Sequence, residues 1–66
     1  MKLIVNGNPR EVPQGTTIDA LLALLAIDRR KIAVERNEEI VPRAQHAATA
    51  LAAGDRVEIV TMVGGG

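Results

Sequence analysis

The sequence contains no cysteine and no phenylalanine, tryptophan or tyrosine. Without cysteine there is no disulfide to staple the fold and no thiolate to bind a metal or attack a substrate. Without aromatic rings there is no stacking platform for single-stranded nucleic acid. Eight basic residues balanced by eight acidic ones give no net positive field for phosphates either. No apolar run approaches the roughly 20 residues that cross a bilayer. The opening Met1-Lys2-Leu3-Ile4-Val5 lacks the long apolar stretch and cleavage site of a signal peptide. A cytoplasmic protein is expected, with no nucleic-acid partner and no membrane partner. Catalytic side chains are also missing. The one histidine, His46, stands in a polar stretch without a nucleophile to activate, and is expected at the surface or half-buried. Glu38-Glu39 reads as a charged turn, not an acid/base dyad. No enzyme, no metal site and no bound cofactor are expected.

What is present is a small aliphatic chain. It has 66 residues, 47% of them hydrophobic, so its core is made of Leu, Ile, Val, Ala and Met. That fraction suits a globular fold rather than a disordered one. A domain of this size buries only about 60% of its unfolded surface, so its stability is marginal.

Along the chain, Lys2-Leu3-Ile4-Val5 is a short β-run followed by Asn6-Gly7, a pair that tolerates the positive φ of a tight hairpin. Residues 2–13 are predicted to form a hairpin closed by Pro13 and Gly15. Thr16 is the expected helix N-cap, with Asp19 in the first turn. Ile18, Leu21, Leu22 and Leu25 recur at helical spacing over 18–27, leaving Leu24 off the stripe. Arg29, Arg30 and Lys31 then lie near the helix end, where positive charge is favourable. They read as a solvated cluster in preference to a partner-binding patch. Ile32-Ala33-Val34-Glu35-Arg36 is a third strand, Asn37-Glu38-Glu39 a turn, and Ile40-Val41 a short strand stopped by Pro42, as suits an edge. Residues 43–53 are irregular or hold one helical turn, with Leu51 as core anchor. Residues 56–63 form the longest strand. The order β-β-α-β-β-β predicts an α+β fold of one helix across one face of a mixed sheet of four to five strands. The last strand is expected in the centre, parallel to the first, with the helix in the crossover.

Alternation along the strands separates two faces. Lys2 and Glu58 favour water, which assigns Leu3, Val5, Val57 and Ile59 to the core. Ile4, Val60 and Met62 then fall on the uncovered face, where a contiguous apolar patch would serve partners and a scattered one would merely stiffen the sheet.

The last strand runs into Gly64-Gly65-Gly66. Glycine has no Cβ and holds no fixed conformation by itself. The expected domain is therefore residues 1–63, followed by a flexible tail at 64–66. Extended, three residues reach roughly 10 Å, into a slot too narrow for side chains. Frayed ends also look like this, so the glycines alone leave both accounts open. The group left to do chemistry is the carboxylate of Gly66. It is ionised at neutral pH and is a poor acyl donor until activated, for instance by attack on the α-phosphate of ATP.

Taken together, Val5-Asn6-Gly7, Val41-Pro42-Arg43, Leu51 with Gly54-Asp55, Val57-Glu58-Ile59-Val60 and Val63-Gly64-Gly65-Gly66 resemble, in order and spacing, the ThiS family. These are ubiquitin-like β-grasp sulfur carriers of thiamine biosynthesis. The resemblance spans the whole chain. It implies that a ThiF-like adenylyltransferase uses ATP to activate Gly66 as an acyl-adenylate. Sulfur drawn ultimately from cysteine then replaces AMP, and the Gly66 thiocarboxylate delivers it to a ThiG-like thiazole synthase. Gly65 and Gly66 match the family's diglycine end, and a monomeric carrier is implied. Relatives often carry an aromatic residue shortly after Pro-Arg, where this chain has His46. Two rivals stay open. The small subunit of molybdopterin synthase shares fold and activation chemistry, although Val41-Pro42-Arg43 and the third glycine favour the thiazole branch. A non-transferring β-grasp module binding RNA or a ligand is the other, and zero net charge without aromatics disfavours RNA.

Overall fold

The structure, a computed structural model, describes residues 1–62. Val63 and the glycine tail at 64–66 lie outside the described residues, and so does the domain boundary expected at 63.

β1 (Lys2–Val5) and β2 (Asn8–Glu11) pair antiparallel, with Val5 opposite Asn8. Asn6 and Gly7 between them have φ of 48° and 83°. Positive φ at both central positions makes the two-residue turn whose twist suits a hairpin. Pro9 lies within β2, which is possible because β2 is the sheet's outer strand and needs no second ladder of N–H donors.

The helix α1 spans Ile18–Leu24. Its N-cap is Thr17, one residue later than expected: the Thr17 hydroxyl accepts from the Ala20 N–H at 3.1 Å. Thr16 is buried instead and donates its hydroxyl to the Pro13 carbonyl at 2.7 Å. The helix's other early donors are also matched. Ile18 N–H reaches the Thr49 carbonyl, Asp19 N–H the His46 carbonyl and Leu21 N–H the Thr17 carbonyl, so no N-terminal amide is stranded. The helix is shorter than its apolar pattern. Ala26 turns to φ 56°, with Ala26 N–H on the Ala23 carbonyl and Ile27 N–H on the Leu22 carbonyl. That is the Schellman cap, formed here on alanine. Arg29–Lys31 is consequently a separate 3-10 turn capped by Asp28, not the end of α1.

β3 (Ile32–Arg36) and β4 (Glu39–Val41) form a second hairpin with Arg36 opposite Glu39. β4 begins one residue earlier than expected, because Asn37 and Glu38 both take positive φ and complete the turn alone. Arg43–Gln45 is the single helical turn foreseen in the irregular stretch. β5 (Arg56–Thr61) is the longest strand and sits centrally in the order β2-β1-β5-β3-β4, parallel to β1 and antiparallel to β3. This is the predicted β-grasp arrangement.

The core lies between the sheet and α1. It comprises Leu3, Val5, Val12, Ile18, Leu21, Leu22, Ile32, Val34, Leu51 and Val57. Ile59, expected in the core, is half-buried at its margin, and so is Leu25. Leu24 is exposed, as its place off the stripe predicts. His46 is the larger departure. It is 2% exposed, with Nε2 donating to the Val41 carbonyl at 2.9 Å and Nδ1 without a partner among the described residues. No helix among the described residues is long and apolar enough to cross a membrane.

Candidate functional site

The sequence points to the end of β5, and a few residues hold that end in place. On its β3 side the strand is paired to the last described residue. Val60 faces Ala33, Thr61 faces Ile32, and Met62 N–H donates to the Lys31 carbonyl at 2.8 Å. On the other side β1 reaches only as far as Val57. Beyond that point Asn6 substitutes for a strand. Its side-chain oxygen accepts from the Ile59 N–H at 2.7 Å, and its amide donates to the Ile59 carbonyl at 3.3 Å. One amide thus provides the donor and acceptor a neighbouring peptide would have supplied. Asn6 is readable in the sequence as a turn residue, but nothing in Val5-Asn6-Gly7 shows this second role, which depends on β5 lying alongside.

The start of β5 is held by Asp55, which is buried. Its carboxylate accepts from the Ala52 N–H at 2.8 Å, the Arg36 Nε at 2.8 Å and the Asn37 amide at 3.1 Å. Burial alone would raise the Asp55 carboxyl. The Ala52 N–H, the Asn37 amide and the Arg36 guanidinium overcome that and hold it below the ordinary carboxylate range. Asn37 in turn accepts from the Arg56 N–H. Gly54-Asp55, Asn37 and Arg36 therefore fix where the central strand begins, and Asn6 and Lys31 fix where it ends.

The expected partner patch separates into two parts. Val60 and Met62 are exposed at the same end of the outer sheet face. Ile4 is only half-exposed and pairs with Arg56, four residues before Val60. At about 3.3 Å per residue, Ile4 lies roughly 13 Å from Val60 along the strand direction. Its outer-face neighbours are Pro9 and Arg56, so it does not extend the patch. The outer face around Val60 continues instead through Ala33, and the exposed Ile40, on β4, faces Glu35 two positions along β3 from Ala33. Glu35 and Glu58 stand directly opposite each other beside it. Gly64, Gly65 and Gly66 lie outside the described residues. Among the described residues no group of metal-ligating side chains is found.

A central strand fixed at both ends in a sheet of order β2-β1-β5-β3-β4, with one helix across it, defines the class of ubiquitin-like β-grasp proteins. The ThiS family model matches residues 3–66, and the chain belongs to the ThiS family. It is 50% identical over its full length to part of the thiazole synthase of Paramagnetospirillum magneticum and 41% identical to part of that of Magnetococcus marinus. In each case it spans 20% of the relative's length. It is also 34% identical over 62 residues to the uncharacterized protein ycf40 of Porphyra purpurea, covering 87% of that protein. Among solved structures it superposes on the crystal structure of the thiamine biosynthesis protein ThiS from Geobacter metallireducens with a TM-score of 0.88, at 35% identity and over the whole of both chains.

Proposed function

We propose that this protein is a sulfur carrier for the thiazole moiety of thiamine, acting as a protein co-substrate and not as an enzyme. The observation that carries the reading is the family match, which extends through Gly66 and so includes the triple glycine. The solved ThiS structure, alike over both whole chains, supports it. The thiazole synthases that contain a stretch like this chain support a ThiG-like synthase as the acceptor.

The chemistry follows from the carboxylate. A carboxylate oxygen of Gly66 attacks the α-phosphorus of ATP in a ThiF-like adenylyltransferase, the bond to the β-phosphate breaks, and pyrophosphate leaves. The acyl-adenylate is electrophilic at carbon. A hydrosulfide equivalent attacks there, the bond to AMP breaks, and the thiocarboxylate remains with its negative charge on sulfur and oxygen. As with thiolates, the anion is the nucleophile. The glycines leave the acyl carbon open on every side, and Asn6 and the Lys31 carbonyl set the direction from which the chain enters a partner's slot. Val60 and Met62, flanked by Ala33, form the apolar contact beside that exit. Ile4 belongs to the contact only if the partner reaches across Arg56.

The test is mass spectrometry of the intact protein after incubation with the cognate adenylyltransferase, ATP and hydrosulfide. The expected result is the mass gain of one sulfur replacing one oxygen, confined to Gly66. Gly65→Val is expected to abolish it, because a β-branched residue restricts the backbone and widens the tail. No gain in the wild-type protein, or an undiminished gain in Gly65→Val, overturns the reading.

A further inference from the structure

Arg29, one of the three cations that read in sequence as a solvated cluster, lines a cleft together with Arg43 in the structure. The 3-10 turns Arg29–Lys31 and Arg43–Gln45 meet, with Arg43 Nη2 donating to the Arg30 carbonyl at 3.3 Å. Between them is an open cleft of about 720 Å³ lined by Arg29, Arg43, Ala44 and Ala47. The two alanines leave the guanidinium groups unobstructed. Arg29 gives only Nη1 to Asp19, at 3.1 and 3.2 Å, and Arg43 gives only Nη2. Each keeps further N–H donors in the planar fork that suits a carboxylate. Charge is in excess as well. Arg29 and Arg30 are matched by Asp19 and Asp28, whereas Lys31 and Arg43 have no carboxylate partner among the described residues.

The cleft adjoins the end of β5. Consecutive carbonyls of one turn hold both features: Arg30 accepts from Arg43, and Lys31 accepts from the N–H of Met62. A protein that closes around the chain beyond Met62 therefore meets this turn. Glu35 and Glu58 share the outer sheet face with Arg56, whereas at this end Lys31 and Arg43 have no carboxylate partner among the described residues. We propose that the Arg29–Arg43 cleft, with Lys31 beside it, docks acidic side chains of the adenylyltransferase that receives the tail. The proposal rests on the sulfur-carrier reading above. The absence of any exposed aromatic ring and the small local excess of charge favour an acidic protein surface over nucleic acid.

The test is the Kd of the whole chain for the adenylyltransferase at low and at high salt, with the sulfur gain measured in parallel at saturating carrier. Arg43→Glu and Lys31→Glu are expected to weaken binding about tenfold each at low salt. Most of that loss should disappear at high salt, as for solvent-accessible charges at an interface rim. The saturated yield of thiocarboxylate should be unchanged in Arg43→Glu. Glu11→Lys, on the outer strand β2, should leave binding unaltered, and circular dichroism should show each variant folded. Unchanged affinity in Arg43→Glu while sulfur transfer proceeds overturns the docking site alone. So does a loss that persists undiminished at high salt, or one confined to thiazole synthase. No sulfur gain in the wild-type protein overturns the carrier reading and the docking proposal with it.

Discussion

Asp55 is a carboxylate in a position where burial works against ionisation and three donors work for it. The donors win, so its carboxyl titrates below the ordinary range. A folded-state pKa depressed below the unfolded value of about 3.9 means that the ionised form contributes stability at neutral pH. That contribution is fully present above the unfolded value and is lost as pH falls through the folded one. Asp55→Asn keeps the shape but removes the charge that Arg36 and the Ala52 N–H bind. Charge-assisted hydrogen bonds contribute about 1.5–3 kcal/mol, so the variant is expected to be less stable by about 2 kcal/mol at pH 7. The gap to wild type should narrow below about pH 4, measured by urea unfolding across pH. A gap that stays constant into acid would show that Asp55 acts through shape alone. The sequence showed Gly54-Asp55 only as a turn, because its three partners come from residues 36, 37 and 52 and meet only once the sheet forms. The burial of His46 is hidden in the sequence for a related reason. Its neighbours Gln45, Ala47 and Ala48 are small or polar and give no apolar rhythm. Its segment caps α1, with the His46 carbonyl accepting from the Asp19 N–H far away in sequence, while Nε2 reaches back five residues to the Val41 carbonyl.

At the scale of elements, strands were more legible than the helix. β3 matched its expected bounds, because a β-branched run followed by Asn37 leaves little choice. The central place of β5 followed from its length and apolar character. The helix was overextended because Ala26 is the strongest helix former by propensity, yet the structure sets it at φ 56° as the left-handed residue of the cap. Sequence reading expects glycine there, and its absence hid the boundary. The same mismatch yields a prediction. A left-handed conformation costs an L-residue roughly 1–2 kcal/mol, part of which glycine gives back through its greater freedom in the unfolded chain. Ala26→Gly is therefore expected to stabilise the protein by about 0.5–1 kcal/mol, although the same substitution in a helix interior would destabilise it by a similar amount. A lower thermal midpoint for Ala26→Gly would place Ala26 inside a continuous helix and contradict the cap.

Over the whole molecule, a division of work between the folded domain and residues 64–66 is expected, and it can be measured. Among the described residues the core runs from Leu3 to Val57 and lies between the sheet and α1. The strand ladders that hold β5 stand on Val57, which is fully buried between sheet and helix, whereas Ile59 is only half-buried at the margin. Val57→Ala is expected to cost about 2–3 kcal/mol, through lost apolar contact and the space left behind. For a domain of this length that lowers the thermal midpoint by roughly 10–20 °C. Ile59→Ala should cost less, because part of its side chain already meets water. Deleting Gly65 and Gly66 should leave the midpoint unchanged and abolish the sulfur gain. Val57→Ala, assayed well below its midpoint, should retain that gain. Because the chain has no tryptophan or tyrosine, unfolding is followed by far-ultraviolet circular dichroism instead of intrinsic fluorescence. A midpoint lowered equally by the truncation and by Val57→Ala would mean that the tail packs on the domain. It would then have to detach before any partner could use it, adding a conformational step to the transfer that a tail independent of the core does not require.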